Sequence, residues 1–206
     1  MAAPEAPESP SRLEPLDLSE IPGLEDIGRF YDGMFGFVPN GLRIMARRPD
    51  IVAGYIALRR AVVDPATSEV PPGLKELIGN IASKASGCRY CQAHTISAAD
   101  RAGANAARLA ALWDYQTSDL FSEAECAALD FAAAAASIPN GVTDEVFDRL
   151  EEHWDEGQIV EILAVVALYG FLNRWNDSLA TELESPSFEA ADRLLGSAGW
   201  EAGKHA

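Results

Sequence analysis

The stretch spanning residues 155–184, DEGQIVEILAVVALYGFLNRWNDSLATELE, is apolar through almost all of its middle, as a buried central helix is. A helix of this kind must be enclosed by other elements, and the rest of the sequence supplies helices rather than strands. Residues 50–63, DIVAGYIALRRAVV, follow Pro49 and stop before Pro65. PPGLKELIGNIASKAS starts behind two prolines, places Leu74, Leu77, Ile78, Ile81, Ala82 and Ala85 on one stripe, and runs out at Gly87. SEAECAALDFAAAAAS opens with Ser122 as cap and Glu125 at the capping-box position, then breaks at IPNG. TDEVFDRLEEHW opens at Thr143. Alternating segments bounded by turns are hard to find, so the expected fold is all-α, with about eight to ten helices.

Residues 1–20 begin MAAPEAPESPSR and read as a disordered Pro/Glu/Ser leader, residues 21–196 as one helical domain, and residues 197–206 as a flexible tail. The opening lacks the basic and apolar regions of a secretory signal, and no apolar run reaches the roughly 18 residues of a membrane span. The expectation is a cytoplasmic protein that does not engage membranes. Its formal net charge of -16 also repels phosphate backbones, so nucleic acid is not an expected partner.

Aligning Glu76 with Glu161 sets ELIGNIASKASGCRYCQA against EILAVVALYGFLNRWNDS at an offset of 85 residues. Arg89 falls on Arg174, Tyr90 on Trp175, Cys88 on Asn173 and Cys91 on Asn176. Either the chain holds a degenerate helical repeat in which only the first copy keeps its thiols, or two buried helices share a pattern by chance.

Residues 87–100, GCRYCQAHTISAAD, gather two of the 3 cysteines and one of the 3 histidines. If Gly87 ends one helix and the next begins near Cys88, Cys91 lies about one turn in and His94 a further three residues along the same face. Thiols at a helix N-terminus feel the positive end of its dipole, which favours the reactive thiolate and favours Cys88 most. Cysteines at this spacing can also close a disulfide with little backbone movement. Zinc would need a fourth ligand, and Cys126, His153 and His205 show no second paired spacing. A structural reading makes the pair buried core cysteines. A reversible dithiol couple on an all-α scaffold is the leading reading. Tyr90 reads as a packing aromatic, Cys126 as a small core residue, His153 as solvated and His205 as part of a frayed tail.

The pattern Glu76, eleven residues, Cys88-Arg-Tyr-Cys91 and then His94 resembles the alkylhydroperoxidase D-like branch of the carboxymuconolactone decarboxylase superfamily. FGFVPNGLRIMARRPDIVAGY and the long C-terminal helical stretch are similar to its peroxidase-related members. That resemblance implies an all-helical fold of two degenerate repeats, a homo-oligomer (dimer, trimer or hexamer), and no cofactor or metal. It also implies a thiol peroxidase. Glu76, through His94 or a water, takes the proton of Cys91; the thiolate attacks a hydroperoxide; Cys88 resolves the sulfenic acid to a disulfide, and an external dithiol or thiol protein reduces it. One departure concerns His94: the better-studied members place the histidine at the position of Thr95, about 100° further round the helix. A lactone decarboxylase, and a non-enzymatic redox sensor or zinc-stabilised module, are the alternative functions.

Overall fold

Proline and capping residues set the helix boundaries much as the sequence marks them. The computed structural model describes residues 11–206, and among these ten α-helices and four 3-10 turns form the regular structure, without a strand. Helix α1 spans Glu25–Phe35, α2 Asn40–Met45, α3 Pro49–Val63, α4 Pro72–Ala85 and α5 Arg89–Arg101. Then follow α6 (Ala106–Ala110), α7 (Glu123–Ala136), α8 (Asp144–Glu151), α9 (Glu156–Leu179) and α10 (Ser185–Leu195). Prolines occupy the first turn of α3 and α4. Reciprocal capping boxes, Ser122 with Glu125 and Asp155 with Gln158, start α7 and α9, and the Thr143 hydroxyl caps α8.

The long helix α9 packs against α4, α7, α5, α3 and α8, the arrangement expected of a central helix. By length and composition alone it could cross a membrane, but its face toward α4 and α5 also buries Asn173 and Asn176. The larger core lies between α4, α5, α7 and α9, around Ile78, Ile96, Leu129 and Ile162. A smaller cluster of Leu18, Leu24, Tyr31, Leu42, Met45 and Val52 joins the N-terminal helices to the rest.

Where they are described, residues 11–20 and 197–206 are packed, unlike the disordered leader and flexible tail expected from sequence. Residues 1–10 of the expected leader lie outside the described residues. Beyond them the chain is packed: the Arg12 amide donates to the Leu179 carbonyl (2.8 Å) and Leu18 is 2% exposed. The expected flexible tail over residues 197–206 is also packed, with Trp200 4% and His205 1% exposed. There the Leu183 amide donates to the His205 carbonyl (2.9 Å) and Arg89 donates to the Glu201 carbonyl (2.9 Å). Polar, glycine-containing composition suggested a frayed end, but tertiary burial of Trp200 and His205 outweighs it.

Candidate active site

Helix α4 ends in a turn that only glycine adopts readily: Gly87 has φ +77°, and the Cys88 amide donates back to the Ser83 carbonyl (3.0 Å). This reversal lays α5 back across α4 and leaves Cys88 as the N-cap of α5, not its first helical residue. The Cys88 sulfur takes the place of the usual capping oxygen and accepts the Cys91 amide at 3.3 Å. The two sulfurs lie 2.9 Å apart as free thiols, so their expected proximity holds.

The two cysteines differ in what they face. Cys91 lines a cavity of about 100 Å³, whereas Cys88 is fully enclosed behind it and does not line it. Burial pushes the Cys91 thiol well above its ordinary pKa, and the Cys88 contact adds to that rise.

Glu76 and His94 line the same cavity, so the fold brings together three of the four residues singled out by sequence, with the fourth in sulfur contact. Although Glu76 sits about 18 Å from Cys88 by helical rise, the antiparallel return of α5 removes that separation. Glu76 retains some accessible surface, but that surface faces the cavity and an adjoining groove. Burial raises its carboxyl pKa; the Arg59 charge, the hydrogen bond from Tyr169, Arg101 and His94 oppose the rise without cancelling it. The Tyr169 hydroxyl donates to Glu76 at 3.3 Å, a reach made possible by Gly79. A Cβ at Gly79 would stand 2.3 Å from the Tyr169 ring. For Arg59, burial disfavours the charge, but Tyr31, Tyr55, Tyr169 and Glu76 outweigh it and raise the pKa.

His94 has a different partner from the one expected. Its Nε2 lies 2.7 Å from Oε2 of Glu184, a carboxylate at the start of α10. Oε1 of Glu184 accepts the Tyr90 hydroxyl (3.0 Å) and the Asn40 amide. Burial acts to raise the Glu184 pKa, yet the His94 charge and hydrogen bond and the Asn40 amide outweigh it and hold Glu184 as a carboxylate. Tyr90 stacks on His94 with ring centroids 4.3 Å apart, and its hydroxyl also accepts the Gly41 amide at 3.2 Å. Tyr90 is therefore part of the site's hydrogen-bonded wall and does more than pack. Thr95, the position at which the resemblance expects the histidine, is buried in a separate network, accepting from Asn80 (2.9 Å) and donating to the Cys91 carbonyl (2.9 Å). The plus-three placement thus aims His94 at the cavity and Glu184.

Sequence reasoning missed Arg59, Tyr169, Glu184 and Asn176. Only Asn176 carried a signal, as the counterpart of Cys91 in the repeat, and its Nδ2 lies 3.6 Å from the Cys91 sulfur. Glu161, the counterpart of Glu76, serves structure: it binds Lys75, Ser68 and the amides of Glu69 and Val70. Cys126, expected in the core, is half-buried at its edge and donates to the Tyr115 carbonyl (3.6 Å), and His153 is exposed as expected. His205, expected in a frayed tail, is buried with Nδ1 2.7 Å from the Thr181 carbonyl. No three His, Cys, Asp or Glu side chains converge as metal ligands among the described residues.

The model of the carboxymuconolactone decarboxylase family matches residues 49–134. The debrominase Bmp8 has a crystal structure that is 36% identical, covering 88% of this chain and 97% of that one with a TM-score of 0.82. A variant of it with a cysteine changed to alanine, in complex with 2,3,4-tribromopyrrole, is similar at 35% identity. The alkylhydroperoxidase AhpD core of an uncharacterized peroxidase-related protein from Ralstonia eutropha JMP134 shares the fold, with a TM-score of 0.77 at 22% identity over 88% of this chain and 96% of that one. The uncharacterized protein YnjA of Escherichia coli K12 is 28% identical over 70% of this chain and 79% of its own length.

Proposed function

Because the chain belongs to the carboxymuconolactone decarboxylase superfamily and has the alkylhydroperoxidase D-like fold, we propose that it is a thiol-dependent peroxidase that reduces hydroperoxides through the Cys88/Cys91 couple. The observation that carries this reading is positional: Cys91 opens on the cavity while the Cys88 sulfur waits 2.9 Å behind it. Helix-dipole reasoning favours Cys88 as the more acidic thiol, but a thiol with no access to the cavity cannot meet a substrate there.

In the proposed reaction Glu76 accepts the Cys91 proton, and the thiolate attacks the O–O bond. One oxygen passes to Cys91 as a sulfenic acid, and the other leaves with a proton as the alcohol. The Cys88 thiol then displaces water from the sulfenic acid to form the disulfide: Cys91 falls back by one electron from the sulfenic level and Cys88 gives one up, so over both steps the peroxide has taken one electron from each sulfur. An external dithiol or thiol protein restores the pair by exchange. Such a cycle suits the cytoplasm, where reducing systems keep thiols reduced. His94, fixed by Glu184, stands in the cavity wall, placed to pass a proton to the leaving oxygen.

A second reading is favoured by the likeness to debrominase Bmp8 and by the aromatic lining of Tyr31, Phe35, Tyr55, Tyr90 and Tyr169. On that reading the same dithiol delivers two electrons to a brominated ring. The carbon gains hydrogen, bromide leaves, and the pair becomes a disulfide. Lactone decarboxylation has no use for a dithiol couple.

The test exposes reduced protein to one equivalent of an alkyl hydroperoxide or of a brominated pyrrole. The expected outcome is alcohol formation with loss of the Cys88 and Cys91 thiols, read by mass spectrometry. Bromide release in the other arm would favour the second reading. Cys91→Ser should consume no peroxide, and Cys88→Ser should leave a dimedone-trappable sulfenic acid on Cys91. A sulfenic acid trapped on Cys88 in the Cys91→Ser protein would reverse the assigned order.

A further inference from the structure

We propose that Asn176, on the helix facing the thiol pair, is a catalytic residue whose side-chain amide donates a hydrogen bond to the Cys91 thiolate and makes that thiolate accessible near neutral pH. The inference rests on Cys91 being the reacting thiol, as proposed above. Nδ2 of Asn176 lies 3.6 Å from the Cys91 sulfur and 3.0 Å from the Leu172 carbonyl, so its two hydrogens have two acceptors. The Leu172 contact also fixes the amide's orientation. Flipped, Oδ1 would meet a carbonyl oxygen head-on, and the sulfur would lose its donor.

A second observation separates this side chain from an ordinary packing residue. Asn176 is 3% exposed and lines the cavity, yet its Oδ1 has no hydrogen-bond partner. A buried amide left half-satisfied is costly, and an apolar residue would pack there without the cost. The chain also keeps room for it. A Cβ on Gly41 would stand 2.3 Å from Oδ1, so glycine at that position is what lets the amide reach the sulfur.

The surroundings of Cys91 show why such a donor matters. Burial, Cys88 and the charge of Asp177 all raise its pKa, and the hydrogen bond from Asn176 lowers it. The other titratable groups around the cavity are Tyr31 on α1, Tyr55 and Arg59 on α3, Glu76 on α4, Tyr90, His94 and Arg101 on α5, and Tyr169 on α9. None of these hydrogen-bonds to the sulfur, whereas Asn176 does. In the alignment at an offset of 85 residues Asn176 is the counterpart of Cys91, and in the fold the two side chains meet.

The test follows iodoacetamide alkylation of Cys91 against pH in reduced wild-type, Asn176→Leu and Asn176→Asp proteins, resolved by peptide mass spectrometry from Cys88 and Cys126. Removal of the donor, or its replacement by a carboxylate, should move the alkylation midpoint up by about one pH unit or more, roughly tenfold less thiolate at neutral pH. Turnover at pH 7 should fall in proportion and recover as pH rises, which a loss of packing would not produce. An unmoved midpoint in a variant of native helicity would overturn the proposal. If Asn176→Leu does not fold, the nearly isosteric Asn176→Asp decides alone. Alkylation needs no substrate, so shifted midpoints in a protein that turns over neither hydroperoxide nor brominated pyrrole would uphold the role of Asn176 and sink the proposed function.

Discussion

Glu76 is held between opposing influences, and their balance suits a base. Burial raises its pKa, while Arg59, Tyr169, Arg101 and His94 keep the rise in check. A carboxylate so placed binds the thiol's proton more readily than a solvated one does. Glu76→Gln should therefore slow peroxide turnover by roughly 10²-fold while the Cys88–Cys91 disulfide still forms slowly. The acidic limb of the rate profile should lie above the ordinary glutamate range in the wild type and vanish in the variant. Stability should move the other way. A carboxyl whose folded pKa exceeds its unfolded value costs stability once pH rises above the unfolded value, so the neutral glutamine should be no less stable than Glu76 at pH 7. Equal turnover and an unchanged pH profile in folded Glu76→Gln would make it a bystander. Of the site, the sequence motif made legible the residues whose chemistry is local: Cys88, Cys91, His94 and Glu76. It could not reveal Glu184 or Tyr169, which approach His94 and Glu76 from 90 and 93 residues away and belong to no local pattern.

At the scale of elements, the pairing of α4 with α9 is secured by Lys75 and Glu161, whose side chains are 5% and 18% exposed. Lys75 also donates to the Val62 carbonyl (2.5 Å), and Glu161 accepts the amides of Glu69 and Val70 (3.0 Å each), so one carboxylate ties the loop before α4 to the central helix. Although burial acts against it, Lys75, Ser68 and these amides hold Glu161 down at a pKa of about 2. Glu161→Gln should cost about 3 kcal/mol in urea unfolding at pH 7, because it leaves Lys75 buried without its counter-charge. A depressed pKa gives stability that is present above the ordinary value of 4.5 and lost as pH falls toward 2, so the variant should lose less stability across that window. Parallel acid titrations of the two proteins would show the clamp to be inert. Helix starts were legible here because Ser122, Thr143, Asp155 and the prolines act within one turn. The packing of residues 11–20 and 197–206 was not, because Leu18 and Trp200 are buried through tertiary contacts, not by a local pattern.

For the whole molecule, the acidic surface and the central helix make opposite demands. A net charge of -16 drives copies apart, yet α9 turns an apolar stripe toward water, with Val160 67%, Leu163 46% and Phe171 39% exposed at helical spacing and Arg174 folded back on Gly170 at its end. Leu58 on α3, the helix packed beside α9, is 49% exposed and extends the apolar area. A face without acidic side chains is where two acidic copies can meet at least electrostatic cost, and a two-fold contact would bring the same stripe from both chains together. A homo-oligomer of the kind expected from sequence would form through this stripe. Sedimentation equilibrium at micromolar concentration should give a multiple of the 22.1 kDa chain mass. Leu163→Glu, placing charge of the prevailing sign inside the stripe, should shift the population toward the single chain while native helicity is retained. A wild-type protein that sediments at 22.1 kDa, or a Leu163→Glu variant that assembles as the wild type does, would show that the stripe is not the contact and that α9 faces water alone.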